Sequence, residues 1–291
     1  MAVPKLRFKE FDENWLQKRL GSFASKKNLK NRDGLITEVL TNSATQGVIK
    51  QSGYFDREIV TESNLNGYYI VNLDDFVYNP RISVHAPVGP IKRNKKCLGV
   101  MSPLYTVFKI SEGNLQFFEY FFESNFWHDY VKNVSNSGAR HDRMNITNKD
   151  FFEMPIHLPS LEEQTKLASF LSAVDKKISQ LTQKHELLSQ YKQGMMQKLF
   201  SQQIRFNADD GSEFGEWEDK PLNEIGSKQS GKNKDGSITE VLTNSATQGI
   251  IKQSDYFERE IVTESNLNGY YIVNLDDFVY NPRISVHAPV G

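Results

Sequence analysis

The stretch PSLEEQTKLASFLSAVDKKISQLTQKHELLSQYKQGMMQKLF, residues 159–200, reads as one uninterrupted helix. Its start is marked by Ser160 and, three residues on, Glu163, a capping-box spacing in which the serine oxygen accepts the Glu163 backbone N–H and the glutamate reaches back to the serine N–H. From Leu167 the apolar positions run Leu171, Val174, Ile178, Leu181, Leu188, Met195 and Leu199. With His185 and Lys192 as polar members of the same seam, the spacing alternates four and three. That is a heptad, and a heptad seam asks for a second helix. A helix of about 40 residues is roughly 60 Å long, and no other segment of the chain matches it.

Internal repetition organises the rest. Asn31 to Gly89 recurs as Asn233 to Gly291 at a constant offset of 202, differing only at Arg32/Lys234, Leu35/Ser237, Val48/Ile250, Gly53/Asp255 and Asp56/Glu258. Upstream, Trp15/Trp217, Lys18/Lys220 and Leu20/Leu222 keep register, and Leu6-Arg7-Phe8 resembles Ile204-Arg205-Phe206. A period near 200 residues is a domain duplication rather than a solenoid. The second copy has no counterpart of Pro90 to Phe200 within the sequence, so it is expected to be incomplete and to expose unpaired strand edges.

Composition leaves room for real cores: 291 residues, 38% hydrophobic and 12% aromatic. Net charge is −1, so any nucleic-acid surface has to be a local patch rather than a property of the whole-molecule field. Cys97 is the single cysteine, which excludes an intramolecular disulfide framework. Neither a signal-type apolar segment nor a run of 18 apolar residues occurs, and a cytoplasmic location without membrane contact is expected.

Taken in order, a helix is expected around Trp15 to Phe23, followed by the basic stretch Lys26, Lys27, Lys30, Arg32. Strands of a mixed or antiparallel sheet are expected at Thr37–Thr41, Gly47–Gln51, Tyr68–Asn72, Phe76–Asn79 and Leu104–Ile110. The aromatic run Leu115 to Val131 reads as a helix whose rings form a packing face rather than a base-stacking platform. A polar loop, Asn133 to Asn145, then leads through Ile156-His157-Leu158-Pro159 into the long helix. The fold class is therefore α+β: a globular mixed domain, a helical arm, and a partial second copy of the domain.

Catalytic motifs are missing. The six histidines (85, 128, 141, 157, 185, 287) form no His-Glu-x-x-His pair and there is no cysteine cluster, so no zinc site is visible. Ser230-Gly231-Lys232 lacks the earlier glycine of a phosphate-cradling loop. Asn79-Pro80-Arg81 resembles the start of an amino-methyltransferase loop without its second proline and aromatic, and Glu218-Asp219-Lys220 resembles a nuclease tail without its upstream Pro-Asp. The pattern is that of a binding protein.

Three basic clusters are candidates for phosphate contact: Lys26/Lys27/Lys30/Arg32, Lys92/Arg93/Lys95/Lys96 and Arg140/His141/Arg143. Any one of them alone would also suit an ordinary solvated face. The loop Thr41-Asn42-Ser43-Ala44-Thr45-Gln46-Gly47 carries amides suited to adenine, and nearby Arg81 suits guanine; such a loop can equally satisfy its own backbone. The expected DNA-binding set is Lys27, Lys30, Asn42, Ser43, Gln46, Arg81, Lys92, Arg93, Arg140 and Arg143.

The run Ser137-Gly138-Ala139-Arg140, then Asn145-Ile146, Phe151-Phe152 and Ile156-His157-Leu158-Pro159-Ser160-Leu161-Glu162-Glu163-Gln164 resembles the end of a target recognition domain of a type I restriction-modification specificity subunit. The helix after it resembles that family's conserved-region helix, and Lys5 to Leu20 its usual opening; together the likeness covers residues 1–200. It implies a recognition domain at 1–158, a long helix at 159–200 and a partial second recognition domain at 201–291. It implies a non-catalytic subunit that binds a bipartite double-stranded DNA site and directs adenine methylation and restriction there, carrying modification (methyltransferase) and restriction (translocase/nuclease) subunits. S-adenosylmethionine, ATP and Mg2+ are then expected on those partners, with no cofactor and no metal on this chain. The alternative is a truncated regulatory remnant acting as a coiled-coil scaffold without DNA specificity.

The family's usual chain has two recognition domains and two helices paired antiparallel. Here a homodimer through Leu171, Val174, Ile178, Leu181 and Leu188 is the expected substitute. Two identical readers related by a twofold axis imply an inverted-repeat target.

Overall fold

The computed structural model describes residues 6–53, 62–137, 142–257 and 264–290. They form two compact units, residues 1–201 and 202–291.

The first unit is built on a four-stranded antiparallel sheet in the order β2-β9-β6-β7, made of β2 (Ala24–Lys26), β9 (Thr106–Ile110), β6 (Phe76–Tyr78) and β7 (Ile91–Arg93). The middle of this sheet is buried on both faces. Phe76, Tyr78, Phe108 and Ile110 point into one core, with α1 (Leu115–Glu123), α2 (His128–Val134) and α3 (Asn148–Phe152) supplying Phe118, Phe122, Trp127, Val131 and Phe151. Val77 and Val107, the intervening residues, point the other way into a smaller core with Leu40, Val48, Val71 and Met101. The period of two thus sends alternate side chains into two different cores, which is why these strands read as continuous apolar runs. At about 1.5–3 kcal/mol for each fully buried large apolar side chain, the aromatic core dominates the unit's stability.

The second core is closed by two pairs of strands: β3 (Leu40–Ser43) with β4 (Gly47–Lys50), and β5 (Tyr69–Val71) with β8 (Gly99–Met101). The short pair β10 (Asn136–Ser137) and β11 (Met144–Asn145) lies beyond α2. Between β6 and β7 the chain turns on Gly89, whose φ of +83° and approach to Asn79, where a Cβ would stand 2.0 Å from the carbonyl oxygen, leave room for no side chain.

Two expected elements are corrected. Residues 15–23 are not a helix: β1 (Leu16–Arg19) pairs antiparallel with β12 (Pro155–Leu158), and Leu20–Ser22 is a single 3-10 turn. The helix-like spacing of Leu16, Leu20 and Phe23 is overridden because the chain pairs with β12 and the Leu20 N–H donates to Met154 O at 2.8 Å. Leu115 to Val131 is two helices, not one. Ser124 ends α1, its hydroxyl donating to Phe121 O at 2.6 Å, and the bend tucks Trp127 into the core with its indole N–H on Phe122 O at 3.1 Å. The reading of this aromatic run as packing surface holds for Phe117, Phe118, Phe122 and Trp127, whereas Phe126 is exposed. The strand expected at Thr37–Thr41 lies three residues later, at β3.

The long helix is α4 (Leu161–Phe200), 40 residues. Ser160 caps it, its hydroxyl accepting the Glu163 N–H at 3.3 Å. The reciprocal half of the capping box is absent, because the Glu163 carboxylate is taken by Arg7, with Nε to Oε1 at 2.8 Å and Nη2 to Oε2 at 2.6 Å. Gln164 is likewise committed, accepting from the Asn114 N–H at 3.0 Å and donating to Pro159 O at 3.0 Å. Tyr120 of α1 braces the next turns through Asp175 Oδ2 at 2.6 Å. Farther along the helix Leu171, Val174, Ile178, Leu181 and Leu188 are all exposed, with no cover among the described residues of the unit.

In the second unit, β13 (Leu242–Ser245) and β14 (Gly249–Lys252) repeat the β3–β4 hairpin, with α5 (Leu222–Ile225) before it and α6 (Gln253–Tyr256) after it. Phe278 and Tyr280, counterparts of the core residues Phe76 and Tyr78, are exposed.

Candidate nucleic-acid interface

Two asparagines clasp the β3–β4 hairpin to the central sheet. Asn42 Nδ2 donates to Val77 O at 2.8 Å and Pro90 O at 3.1 Å, while Asn79 Nδ2 donates back to Asn42 O at 3.0 Å. Asn42 is buried, so its amide positions the hairpin and does not face a base edge. Ser43 is also buried, its hydroxyl accepting from the Thr45 and Gln46 N–H groups and setting the turn. Both side chains, expected to meet base edges, are buried and engaged in the clasp and the turn; Gln46, at the tip, is exposed.

The same clasp fixes Pro80 and Arg81. Arg81 and Arg143 face one another in an antiparallel bridge, flanked by Ile82 N–H to Asp142 O and Met144 N–H to Pro80 O, each at 2.9 Å. Two guanidinium-bearing residues 62 positions apart in sequence are therefore neighbours on one rim. Arg81 is exposed and its guanidinium has no ion-pair partner among the described residues. Arg143 is half-exposed, with the carboxylate of Asp142 at 3.8 Å from Nε. Arg140 lies outside the described residues.

The other expected cations are engaged with the protein. Lys27 Nζ pairs with Asp75 Oδ2 at 2.6 Å, and that carboxylate, itself buried, also accepts the Asn72 N–H at 2.7 Å. Lys92 pairs with Glu123 at 2.9 Å, and Arg93 with Asp74 at 2.6 Å. Lys95 joins the same acidic face through Glu119 at 2.7 Å. The cluster 92–96 thus tethers β7 to α1 rather than presenting a bare positive patch. Lys30 is exposed at an edge, bridged through its backbone to Tyr69. The structure brings Arg81 and Arg143 together beside the Asn42–Asn79 clasp, with Gln46 at the tip of the hairpin that the clasp holds, whereas Lys92 and Arg93 have acidic partners.

Sequence reasoning missed Asn79 as the hinge of this surface. Its signal was present in the Asn79-Pro80 pair, which marks a turn, and in the repetition of both asparagines as Asn244 and Asn281. Among the described residues no group of three or more His, Cys, Asp or Glu side chains could hold a metal, and no helix is long and apolar enough to cross a membrane.

The family described as "Type I restriction modification DNA specificity domain" matches residues 12–190. The type I restriction enzyme MjaVIII specificity subunit of Methanocaldococcus jannaschii is 38% identical over 92 residues, covering 30% of this chain and 22% of that protein. The putative type I restriction enzyme MjaX specificity subunit of the same organism is 30% identical over 174 residues, covering 55% of this chain and 38% of that protein. The chain therefore spans well under half the length of these two relatives. Among solved structures, the HsdS subunit from Thermoanaerobacter tengcongensis is 12% identical with a TM-score of 0.46, covering 64% of this chain and 48% of that one. The S subunit of the type I restriction-modification system from M. genitalium is 18% identical with a TM-score of 0.44, covering 69% and 49%.

Proposed function

We propose, for a chain that belongs to the type I restriction-modification DNA specificity family, that the first unit reads DNA and that α4 pairs two such readers. The carrying observation is the rim at which Arg81 and Arg143 stand backbone to backbone, while Lys27, Lys92 and Arg93 are held by carboxylates. An arginine without a carboxylate partner is free for guanine or phosphate, and an exposed glutamine suits adenine. Lys30, exposed at the edge beyond β2, extends the phosphate-contacting side.

The helix supplies spacing. Leu171, Val174, Ile178, Leu181 and Leu188 form an exposed apolar seam at heptad spacing, and a second copy of α4 is the partner of matching length and pattern. Two identical readers held apart by paired helices bind a bipartite, inverted-repeat site. In this reading residues 1–158 recognise DNA, 159–200 form the arm, and 201–291 belong to a second recognition domain that repeats the first. Methyltransferase subunits brought by the arm place adenine methylation at that site, and translocase/nuclease subunits add restriction. S-adenosylmethionine, ATP and Mg2+ belong to those partners, and the chain itself contributes binding.

The test is DNA affinity of the purified chain as a function of salt. A reader that neutralises phosphates gives a steep negative slope of log affinity against log salt, because counterions are released. A flat slope with no affinity above background overturns the reading.

A further inference from the structure

Between β6 and β7 the chain reverses at a two-residue turn, Val84-His85. The Ser83 N–H donates to Ala86 O at 3.0 Å, and the Ala86 N–H is shared between Ser83 O and the Ser83 hydroxyl oxygen, each at 3.1 Å. Both limbs below the turn are anchored. On one side the Arg81 N–H donates to Asn79 Oδ1 at 3.1 Å and the Ile82 N–H to Asp142 O at 2.9 Å. On the other, Ala86 and Val88 are buried, and Val88 O accepts the Tyr78 hydroxyl at 2.9 Å within the aromatic core. The tip adds nothing to that core: Val84 is 96% exposed, and His85 is exposed beside it.

The same eight residues, Asn-Pro-Arg-Ile-Ser-Val-His-Ala, recur at 281–288. There the Ser285 N–H donates to Ala288 O at 2.9 Å, and the Ala288 N–H reaches Ser285 O at 3.2 Å and its hydroxyl oxygen at 3.1 Å. The Arg283 N–H again meets the preceding asparagine, Asn281 Oδ1, at 3.0 Å, and Val286 is again 96% exposed. Yet the tyrosine below the turn, buried as Tyr78, is exposed as Tyr280. The turn is therefore set by its own residues and not by the core under it. A tip fixed in this way pays little ordering entropy when it meets a ligand.

The chemistry of the tip points to the ligand. Residues 79–91 carry Arg81 and His85 and no Asp or Glu. Arg81 stands at the root of the turn, across the bridge from Arg143, which suits a polyanion. A two-stranded ribbon fits the major groove, where the thymine methyl is the apolar feature that a valine can meet, and a neutral imidazole offers one donor and one acceptor to base edges. We infer that Val84 and His85 are specificity-determining residues that enter the major groove of double-stranded DNA. Val84 packs on a thymine methyl, His85 hydrogen-bonds the edge of the neighbouring base pair, and Arg81 and Arg143 hold the ribbon to the backbone. This inference rests on the first unit being a DNA reader.

The experiment selects bound duplexes from a random-sequence pool with the full 291-residue chain, as wild type, Val84→Ser and His85→Ala, and sequences them. The expected result is a wild-type motif in which Val84→Ser loses the preference for thymine at one position and His85→Ala loses the preference at its neighbour. Replacing that thymine by uracil is expected to weaken wild-type binding about fourfold, the worth of one buried methyl group, and to leave Val84→Ser binding unchanged. The same motif from all three proteins overturns the inference, even where a variant binds more weakly, and leaves the DNA-reading function standing. No DNA affinity in the wild type at low salt overturns that function and the inference with it.

Discussion

The Arg7 guanidinium holds the Glu163 carboxylate at two points, 2.8 and 2.6 Å, across 156 residues of sequence. This ion pair, with Phe8 edge-on to Phe170 at 5.9 Å, fastens the N-terminal lead to the first turns of α4. Glu163 is buried, and the hydrogen bond to it raises the Arg7 pKa above its ordinary value. The lead is therefore strapped to the base of α4.

Removing one partner of this pair leaves a buried group uncompensated. Glu163→Gln and Arg7→Ala are each expected to lower the thermal midpoint and to speed amide exchange in the first two turns of α4. Lys166→Ala, which removes an exposed pair with Glu10, is expected to leave both readings near wild type.

The aromatic core sets the stability of the first unit. Trp127 is buried against Tyr78 and Phe122, and Trp127→Ala is expected to cost about 3–5 kcal/mol by chemical denaturation. Phe126→Ala, one residue away and exposed, is expected to shift stability by no more than about 0.5 kcal/mol.

His128 stacks edge-on to Trp127 at 4.7 Å, and its pKa is lowered, first by burial and then by Lys132, with Asp129 opposing. Because the folded state binds the proton less readily than the unfolded chain, stability is full above the ordinary histidine value and is lost as pH falls below it toward the lowered folded value. Melting curves between pH 7.5 and 5.0 are expected to show this loss, and His128→Asn is expected to reduce it.

At the rim proposed to contact DNA, Arg81→Ala is expected to cost about 1–3 kcal/mol of binding and to reduce the salt slope by about one if it contacts phosphate. Arg143→Ala is expected to act in the same direction. Lys92→Ala is expected to leave the slope unchanged, because its charge is spent on Glu123. Filter binding or anisotropy over a salt series separates the three.

The long helix was legible from its cap, heptad and length, because a solvent-projecting helix keeps its local signals undisturbed. The strands around Phe76 and Phe108 were legible for a related reason: a strand buried on both faces is apolar throughout. Residues 16–19 were misread because their partner, Pro155–Leu158, lies far along the chain, and only that pairing makes them a strand. Arg81 and Arg143 stood out in the sequence only as separate basic residues, and their meeting depends on a bridge that spacing does not reveal. Asn42, Lys27 and Arg93 looked available because sequence does not show the carbonyls and carboxylates that hold them.

The seam gives a direct test of pairing. Ile178→Lys is expected to abolish dimer formation in sedimentation velocity while changing the stability of the first unit by no more than about 0.5 kcal/mol, since Ile178 is exposed in the single chain.

The central claim, that paired copies of this chain read DNA for a methyltransferase, is tested most directly by co-expressing the chain with a matching modification subunit and mapping adenine methylation across the host genome. The account predicts a bipartite inverted-repeat motif, lost with Ile178→Lys and altered with Arg81→Ala. Absence of methylation from a complex shown to assemble, or an asymmetric motif, would contradict it.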